Sequence, residues 1–205
     1  MSCELVVEID GAPLERSRAD VVAVPIFAGE RPLRGTAGRL DWRLCGKLSA
    51  LVAEERLTGR QGDAVLIATA GGLRARLLLV LGAGARSDFD GRAFEALGRD
   101  AARRAVLLHA ATLALPVSED HVPRLGAVVG QAAEALSAEA DDSGLRLVLG
   151  VDPEEVTRTA DLLRRNPPAR IPTDIVLRLP VPGERAAAAP RVAEGKAPRG
   201  VQPVK

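Results

Sequence analysis

The chain has 205 residues, enough for one domain with a substantial core or for two small domains, and 47% of them are hydrophobic. Its 28 basic and 27 acidic residues leave a formal net charge of +1, which gives no electrostatic case for a dedicated nucleic-acid or membrane binder. Two cysteines are too few for a disulfide scaffold, and no signal peptide or membrane-spanning apolar run is evident, so we expect a cytoplasmic protein.

The first half of the chain is predicted to form strands around one long helix. The strands are short apolar runs bounded by turn residues, in the order Glu4 to Ile9, Asp20 to Phe27, Ala64 to Ala68 and Arg76 to Leu81. We expect the first two to form an opening pair, since a Gly11-Ala12-Pro13 turn signal lies between them. Apolar residues that recur every three or four positions predict one amphipathic helix from Gly38 to about Arg56.

The second half alternates helices and strands more regularly. Helices are predicted from about Gly91 to Leu108, Val122 to Ala140 and Asp152 to Arg165, alternating with strands at Thr112 to Pro116, Leu145 to Val151 and Ile175 to Leu179. Asp152 is the predicted cap of its helix. The order indicates one three-layer α/β domain over residues 1–180, with a mixed, mostly parallel sheet and helices on both faces. Residues 181–205, rich in Pro and Ala, are predicted to be a disordered tail.

Two glycine-rich segments follow predicted strands and are candidates for ligand binding. Gly35, Thr36 and Gly38 lie in the predicted loop before the first helix, where free backbone N–H groups and the helix dipole can hold an anion. Gly82 and Gly84 follow a buried strand at the edge where open α/β sheets bind their ligands. Ordinary loop geometry and a tight turn that needs positive φ are the alternative interpretations of these two segments.

The remaining polar residues do not form a catalytic set. His109 and His121 are expected to be structural, because no ligand set stands at metal-binding spacing around them. Cys45 falls inside the predicted helix and is expected to be a small buried side chain, while Asp141-Asp142 is expected in a solvated loop. Trp42 flanks the apolar stripe and is expected in packing or on a contact surface. We predict no catalytic residue, no metal and no cofactor.

One stretch resembles the N-terminal domain of the leucyl aminopeptidase (M17) family. Residues 31–49 read RPLRGTAGRLDWRLCGKLS and are preceded by Ala19 to Pro25. Later pieces agree in order: LLVLGAG at residues 78–84, then Phe89-Asp90, then Leu113 to Pro116. The likeness covers roughly residues 4–165. It implies a macro-like α/β fold that takes part in hexamer contacts and in access to an active site, while a second domain with two metal ions performs hydrolysis.

The resemblance implies a non-catalytic binding or assembly module. The Asn-Thr-Asp-Ala-Glu-Gly-Arg stretch of the catalytic domain is not found in these residues, so peptidase activity is not expected. The expected partners are a second copy of the chain or a separately encoded aminopeptidase, with Trp42 on the contact surface.

The macro-like fold also implies an alternative, the binding of ADP-ribose or a similar nucleotide. In that case Asp20 would lie at the start of its strand, and Gly35 to Gly38 would cradle phosphates. Val24 to Phe27 stand where an Asn-rich segment is usual, and no aromatic residue follows Phe94, so this sequence departs from the ADP-ribose binders. A third hypothesis, nucleic-acid binding through the basic tail, has the net charge of the chain against it.

Overall fold

The computed structural model describes residues 2–139 and 144–180, so the predicted tail and the Asp141-Asp142 pair lie outside the described residues. The strands are β1 (Cys3–Asp10), β2 (Val21–Ile26), β3 (Ala64–Ala68), β4 (Leu77–Gly82), β5 (Thr112–Pro116), β6 (Leu145–Gly150) and β7 (Ile175–Arg178). The helices are α1 (Gly35–Arg43), α2 (Lys47–Ala53), α3 (Gly91–Leu107), α4 (Leu125–Glu139) and α5 (Val156–Arg165). None of the helices in this described part is long and apolar enough to cross a membrane.

The seven strands form one mixed sheet in the order β3-β4-β2-β5-β6-β1-β7. Every neighbouring pair is parallel except β3 with β4. The α/β class and the mostly parallel sheet are therefore confirmed. The predicted opening pair is wrong, because β5 and β6 lie between β1 and β2. The connection contains a short 3-10 turn, Leu14–Arg16, whose buried Leu14 packs in the same cluster as Ala114 and Val148, so the chain crosses the sheet face instead of turning back.

Apolar side chains bury both faces of the sheet, as the alternation of strand residues requires. On one face, α3, α4 and α5 pack through residues such as Phe94, Val128 and Leu163. On the other face, α1 and α2 cover the sheet through Leu40 and Leu48, both fully buried. The central strand β2 is buried on both faces from Val21 to Val24, which explains its continuous apolar sequence. The three-layer arrangement is confirmed.

The long helix predicted from Gly38 to Arg56 is two helices. Cys45 (φ 55°) and Gly46 (φ 80°) have left-handed backbones, which end α1 at a common type of C-terminal cap. Their N–H groups donate to the carbonyls of Trp42 and Asp41. The apolar stripe continues across this break, so spacing alone does not reveal it. The prediction that Cys45 is buried is wrong, because the break turns this side chain to the exposed surface.

The predicted Asp152 cap is wrong, and another Asp caps a helix instead. Asp152 makes no side-chain capping bond, because a 3-10 turn (Pro153–Glu155) separates it from α5. Asp90 does cap its helix: its Oδ1 accepts from the N–H groups of Arg92 and Ala93, each at 2.9 Å. The bond from Ala93 N–H favours the ionised carboxylate and lowers the pKa of Asp90.

Candidate functional site

The two edges of the sheet separate the residues predicted to bind a ligand. Parallel strands end at one edge, called here the carboxyl edge, where Gly82 and Gly84 follow β4. Asp20 precedes β2 at the opposite, amino edge. Its Oδ2 accepts from the N–H of Thr112 at 3.0 Å, which ties the start of β2 to the start of β5. Asp20 and the Gly82 turn are therefore not brought together.

The Gly82–Gly84 turn packs tightly against another loop. A Cβ at Gly82 would lie 1.9 Å from the carbonyl oxygen of Arg60, so only glycine fits there. Gly84 has φ +76°, the left-handed conformation that glycine adopts at no steric cost. The N–H groups of Gly82, Ala83 and Gly84 all donate to protein carbonyls. A ligand at this turn would therefore be held by neighbouring side chains and not by these three N–H groups.

The other predicted segment lies in the first turn of α1. The helix begins at Gly35 and not at Gly38, so the predicted loop is helical. A Cβ at Gly38 would lie 2.5 Å from the carbonyl oxygen of Leu33, which accounts for this glycine by close packing. Thr36 Oγ1 accepts from Nη2 of Arg39 at 3.0 Å. Two bonds of this turn, from Arg39 to Thr36 and from the N–H of Gly38 to the Arg34 carbonyl, are internal to the protein.

An aromatic cluster at the carboxyl edge joins residues that are far apart in the sequence. The ring of His121 stacks on Phe94 with centroids 4.6 Å apart, and Phe89 meets both Phe27 at 5.1 Å and His121 at 5.2 Å, edge to face. Burial lowers the pKa of His121, and Nδ1 of the ring lies 2.6 Å from Ser118 Oγ. All three Phe residues of the chain meet here. Sequence reasoning missed this cluster because no local spacing links its members.

A charged pair borders the aromatic cluster. The guanidinium of Arg86 lies 4.0 Å from the centroid of the Phe27 ring, a cation–π geometry. Arg86 Nη2 also donates to Glu30 Oε1 at 2.7 Å. The second carboxylate oxygen, Glu30 Oε2, is buried and has no hydrogen-bond partner in the described part of the chain. This edge therefore presents an arginine and an unsatisfied acceptor beside apolar rings.

The α1–α2 joint presents the largest exposed apolar side chain among the described residues. Trp42 is 80% exposed, although its neighbours Leu40 and Asp41 are buried. Asp41 Oδ1 accepts from the N–H groups of Leu48, at 2.7 Å, and Ser49, at 3.1 Å, and Oδ2 accepts from Ser49 Oγ. These bonds cap the start of α2 from the end of α1. The exposed indole consequently stands on a rigid joint.

Two surface hollows lie away from the predicted ligand residues. One, of about 410 Å³, is lined by Glu15, Arg16, Arg43 and the β3–β4 turn, and the other, of about 500 Å³, lies on the outer side of α5. Neither is lined by Asp20, Gly35, Gly82 or Gly84. The predicted ligand residues therefore do not form the wall of either hollow.

Comparisons with known proteins agree with this geometry. The family model described as "Cytosol aminopeptidase family, N-terminal domain" matches residues 23–141, more than half of the chain. No curated protein sequence matches the chain. A structure of a leucine aminopeptidase mutant from tomato is similar at 17% identity with a TM-score of 0.60; the match covers 78% of this chain and spans only 35% of the tomato enzyme.

Macrodomains are similar in fold as well. The macro domain of ganglioside induced differentiation associated protein 2 matches at 12% identity with a TM-score of 0.61, covering 80% of this chain and 86% of that one. The Trypanosoma brucei macrodomain in complex with ADP-ribose matches at 15% identity with a TM-score of 0.55, covering 75% and 66%. At these identities the likeness shows a shared macro-like fold and nothing finer.

Proposed function

Because the chain belongs to the cytosol aminopeptidase family through the N-terminal domain of that family, we propose that it acts as a non-catalytic protein-interaction module with a contact surface centred on Trp42. The matched domain is not the catalytic domain of the family. The Trp42 surface is defined as Trp42 and the exposed residues beside it, Arg43 and Cys45. Its partner is a second copy of the chain or a separately encoded aminopeptidase.

The exposure of Trp42 is the observation that carries this proposal. Tryptophan and arginine are the residue types most enriched at the energetic centres of protein interfaces. Burial of an exposed indole against a partner would lower the free energy of the complex. Trp42 also stands on a helix fixed by the Asp41 bonds, so little conformational entropy would be lost when a partner covers it.

The proposal is tested by the solution mass of the full 205-residue chain, measured by light scattering alone and with an aminopeptidase from the same organism. We expect a defined oligomer or complex that Trp42→Ala weakens roughly 30- to 1,000-fold, the range for an interface residue worth about 2–4 kcal/mol. The matched control is Leu107→Ala, which shortens another exposed apolar side chain, at the end of α3. A monomer that does not associate with the enzyme would refute the proposal.

Ligand binding at the carboxyl edge is the second candidate function. It is supported by the macro-like fold, since one similar macrodomain is described in complex with ADP-ribose. It is also favoured by the unsatisfied Glu30 Oε2, which could accept a hydrogen bond from a ligand hydroxyl, and by the neighbouring Arg86, which could meet a phosphate.

This candidate predicts a gain in melting temperature with ADP-ribose. At a hundred times the dissociation constant the gain in stability is about 2.7 kcal/mol, or about 5–11 °C for a domain of this size. Arg86→Gln is expected to reduce the gain, whereas Arg99→Gln, an exposed substitution on the outer side of α3, is expected to preserve it. No shift at millimolar ADP-ribose would remove this candidate.

A further inference from the structure

The hollow of about 410 Å³ opens at the amino edge of the sheet, on the side opposite the Gly82 turn. Its walls are Glu15 and Arg16 from the 3-10 turn, Arg43 at the end of α1, and the β3–β4 turn from Gly71 to Arg74. The first wall leads into the start of β2 and the third into the start of β4. Three separate parts of the chain therefore converge on one concave surface.

The charges in this hollow are not balanced within the protein. Arg16, Arg43 and Arg74 have no ion-pair or side-chain hydrogen-bond partner in the part of the chain that the structure describes. Glu15, the single acid in the lining, is paired with Arg39 at 3.4 Å, which lies outside the lining. Three arginines and one glutamate leave a net charge of +2 in the lining. Guanidinium groups gathered without counter-charges attract anions.

Arg43 is not needed to cap the helix that carries it. Basic side chains in the last turn of a helix often bond the terminal carbonyls. Here the carbonyls of Leu40, Asp41 and Trp42 already accept from the backbone N–H groups that follow α1. The Arg43 side chain is consequently available to a ligand.

The walls of the hollow are held in place by packing and hydrogen bonds. A Cβ at Gly72 would lie 2.9 Å from Leu44 Cδ2, so the β3–β4 turn rests directly on the α1–α2 joint. Thr69 Oγ1 donates to the Ala75 carbonyl at 2.6 Å and closes the base of the turn. Buried Leu14 anchors the 3-10 turn on the other side. The arginines therefore project from fixed backbones, which lowers the entropy lost on binding.

We infer that this hollow binds a small molecule through a diphosphate or longer phosphate chain. Each guanidinium offers five N–H donors in a planar fork that matches phosphate oxygens in pairs. A volume of about 410 Å³ lies within the ordinary range for small-molecule sites and exceeds what a single phosphate fills. No aromatic side chain lines the hollow, so the phosphate chain and not a nucleobase is the part recognised. Free pyrophosphate and the diphosphate of a nucleotide share this chemistry.

The test is isothermal titration calorimetry of the full chain with inorganic pyrophosphate at physiological ionic strength. Saturable binding at one site is expected, and Arg16→Gln, Arg43→Gln and Arg74→Gln should each weaken it roughly tenfold or more. Arg99→Gln is the matched control, because it removes an equal charge from the other face of the sheet. Since these arginines have no partners, the variants should melt with the wild type, which is checked by circular dichroism. Absence of binding, or an equal loss in Arg99→Gln, would overturn the inference.

Two further ligands test the chemistry. Citrate carries comparable charge without phosphate geometry, and citrate binding as tight as that of pyrophosphate would overturn the assignment to phosphate. ADP should bind no more tightly than pyrophosphate, because the lining has no platform for the base. An ADP affinity tenfold higher than that of pyrophosphate would overturn recognition of the phosphate chain alone.

Discussion

Replacement of Asp41 by alanine should unlock the joint between α1 and α2. Asp41 is only 9% exposed, and its carboxylate accepts from two backbone N–H groups at the start of α2. Leu48 is fully buried, so water cannot replace the acceptor for its N–H. Loss of a helix cap costs about 0.5–2 kcal/mol and an unsatisfied buried donor about 1–3 kcal/mol. We expect Asp41→Ala to lower the free energy of unfolding by about 2–4 kcal/mol.

Urea unfolding, followed by circular dichroism, measures this loss. With a slope near 2 kcal/mol per molar urea, the midpoint should fall by about 1–2 M. Ser49→Ala removes one hydrogen bond to the same carboxylate and should cost about 0.5–1.5 kcal/mol. Asp152→Ala is the matched control, because this exposed carboxylate caps nothing, and it should stay within about 0.5 kcal/mol of the wild type.

A loss below about 1 kcal/mol in Asp41→Ala, or one equal to that of Asp152→Ala, would refute the account of the joint. The same variant bears on function. If the Asp41 bonds fix the orientation of Trp42, Asp41→Ala should also weaken any Trp42-dependent association, under conditions in which the variant is still folded.

Close packing of glycines and protonation of a histidine give four other expected outcomes. Gly98→Ala should destabilise the protein by about 1–3 kcal/mol, because the new Cβ would lie 2.7 Å from a Val128 methyl where α3 crosses α4. At Gly130, in α4, the nearest atom to a new Cβ is Pro168 Cβ at 3.4 Å, an ordinary contact distance. Gly130→Ala should therefore be neutral or stabilising by up to about 1 kcal/mol in the same denaturation assay. Gly82→Ala should cost about 2 kcal/mol or more in thermal melts, and a smaller loss would mean that the facing loop yields easily. Burial lowers the pKa of His121 from its ordinary value of 6.5, so the unfolded state binds more protons than the folded state just below pH 6.5. The free energy of unfolding should therefore fall as the pH drops below 6.5 and be flat above it. His121→Gln should abolish this pH dependence.

Secondary structure was predictable wherever one face of an element is buried. The spacing of apolar residues predicted all seven strands, two of them with the bounds seen in the structure: Ala64–Ala68 and Thr112–Pro116. The break at Cys45 was not predictable, because the buried Leu40 before it and the buried Leu48 after it belong to one series of apolar residues with helical spacing. Cys45 is not a glycine, so its residue type does not indicate the left-handed conformation that it adopts, and only the following Gly46 is a residue typical of such a helix end.

The order of the strands and the content of the site depend on contacts that no local pattern encodes. A Gly-Ala-Pro turn signal fits a hairpin and a crossing equally well, so the sequence alone did not separate β1 from β2. His121 and Phe27 lie 94 positions apart, yet both contact Phe89. The three arginines of the amino-edge hollow likewise come from three segments, and each alone is one of many arginines.

The position of β1 between β6 and β7 has a consequence for synthesis on the ribosome. β1 is made before the other strands of this sheet, but its residue Leu5 pairs with Leu145, 140 positions later. At about 5–20 residues per second, the strand waits about 7–28 s for its first partner. During that interval both edges of the strand are unpaired, and an unpaired edge is a template for pairing with another chain. Translation speed, and not only sequence, should therefore influence how much of this protein reaches the native state.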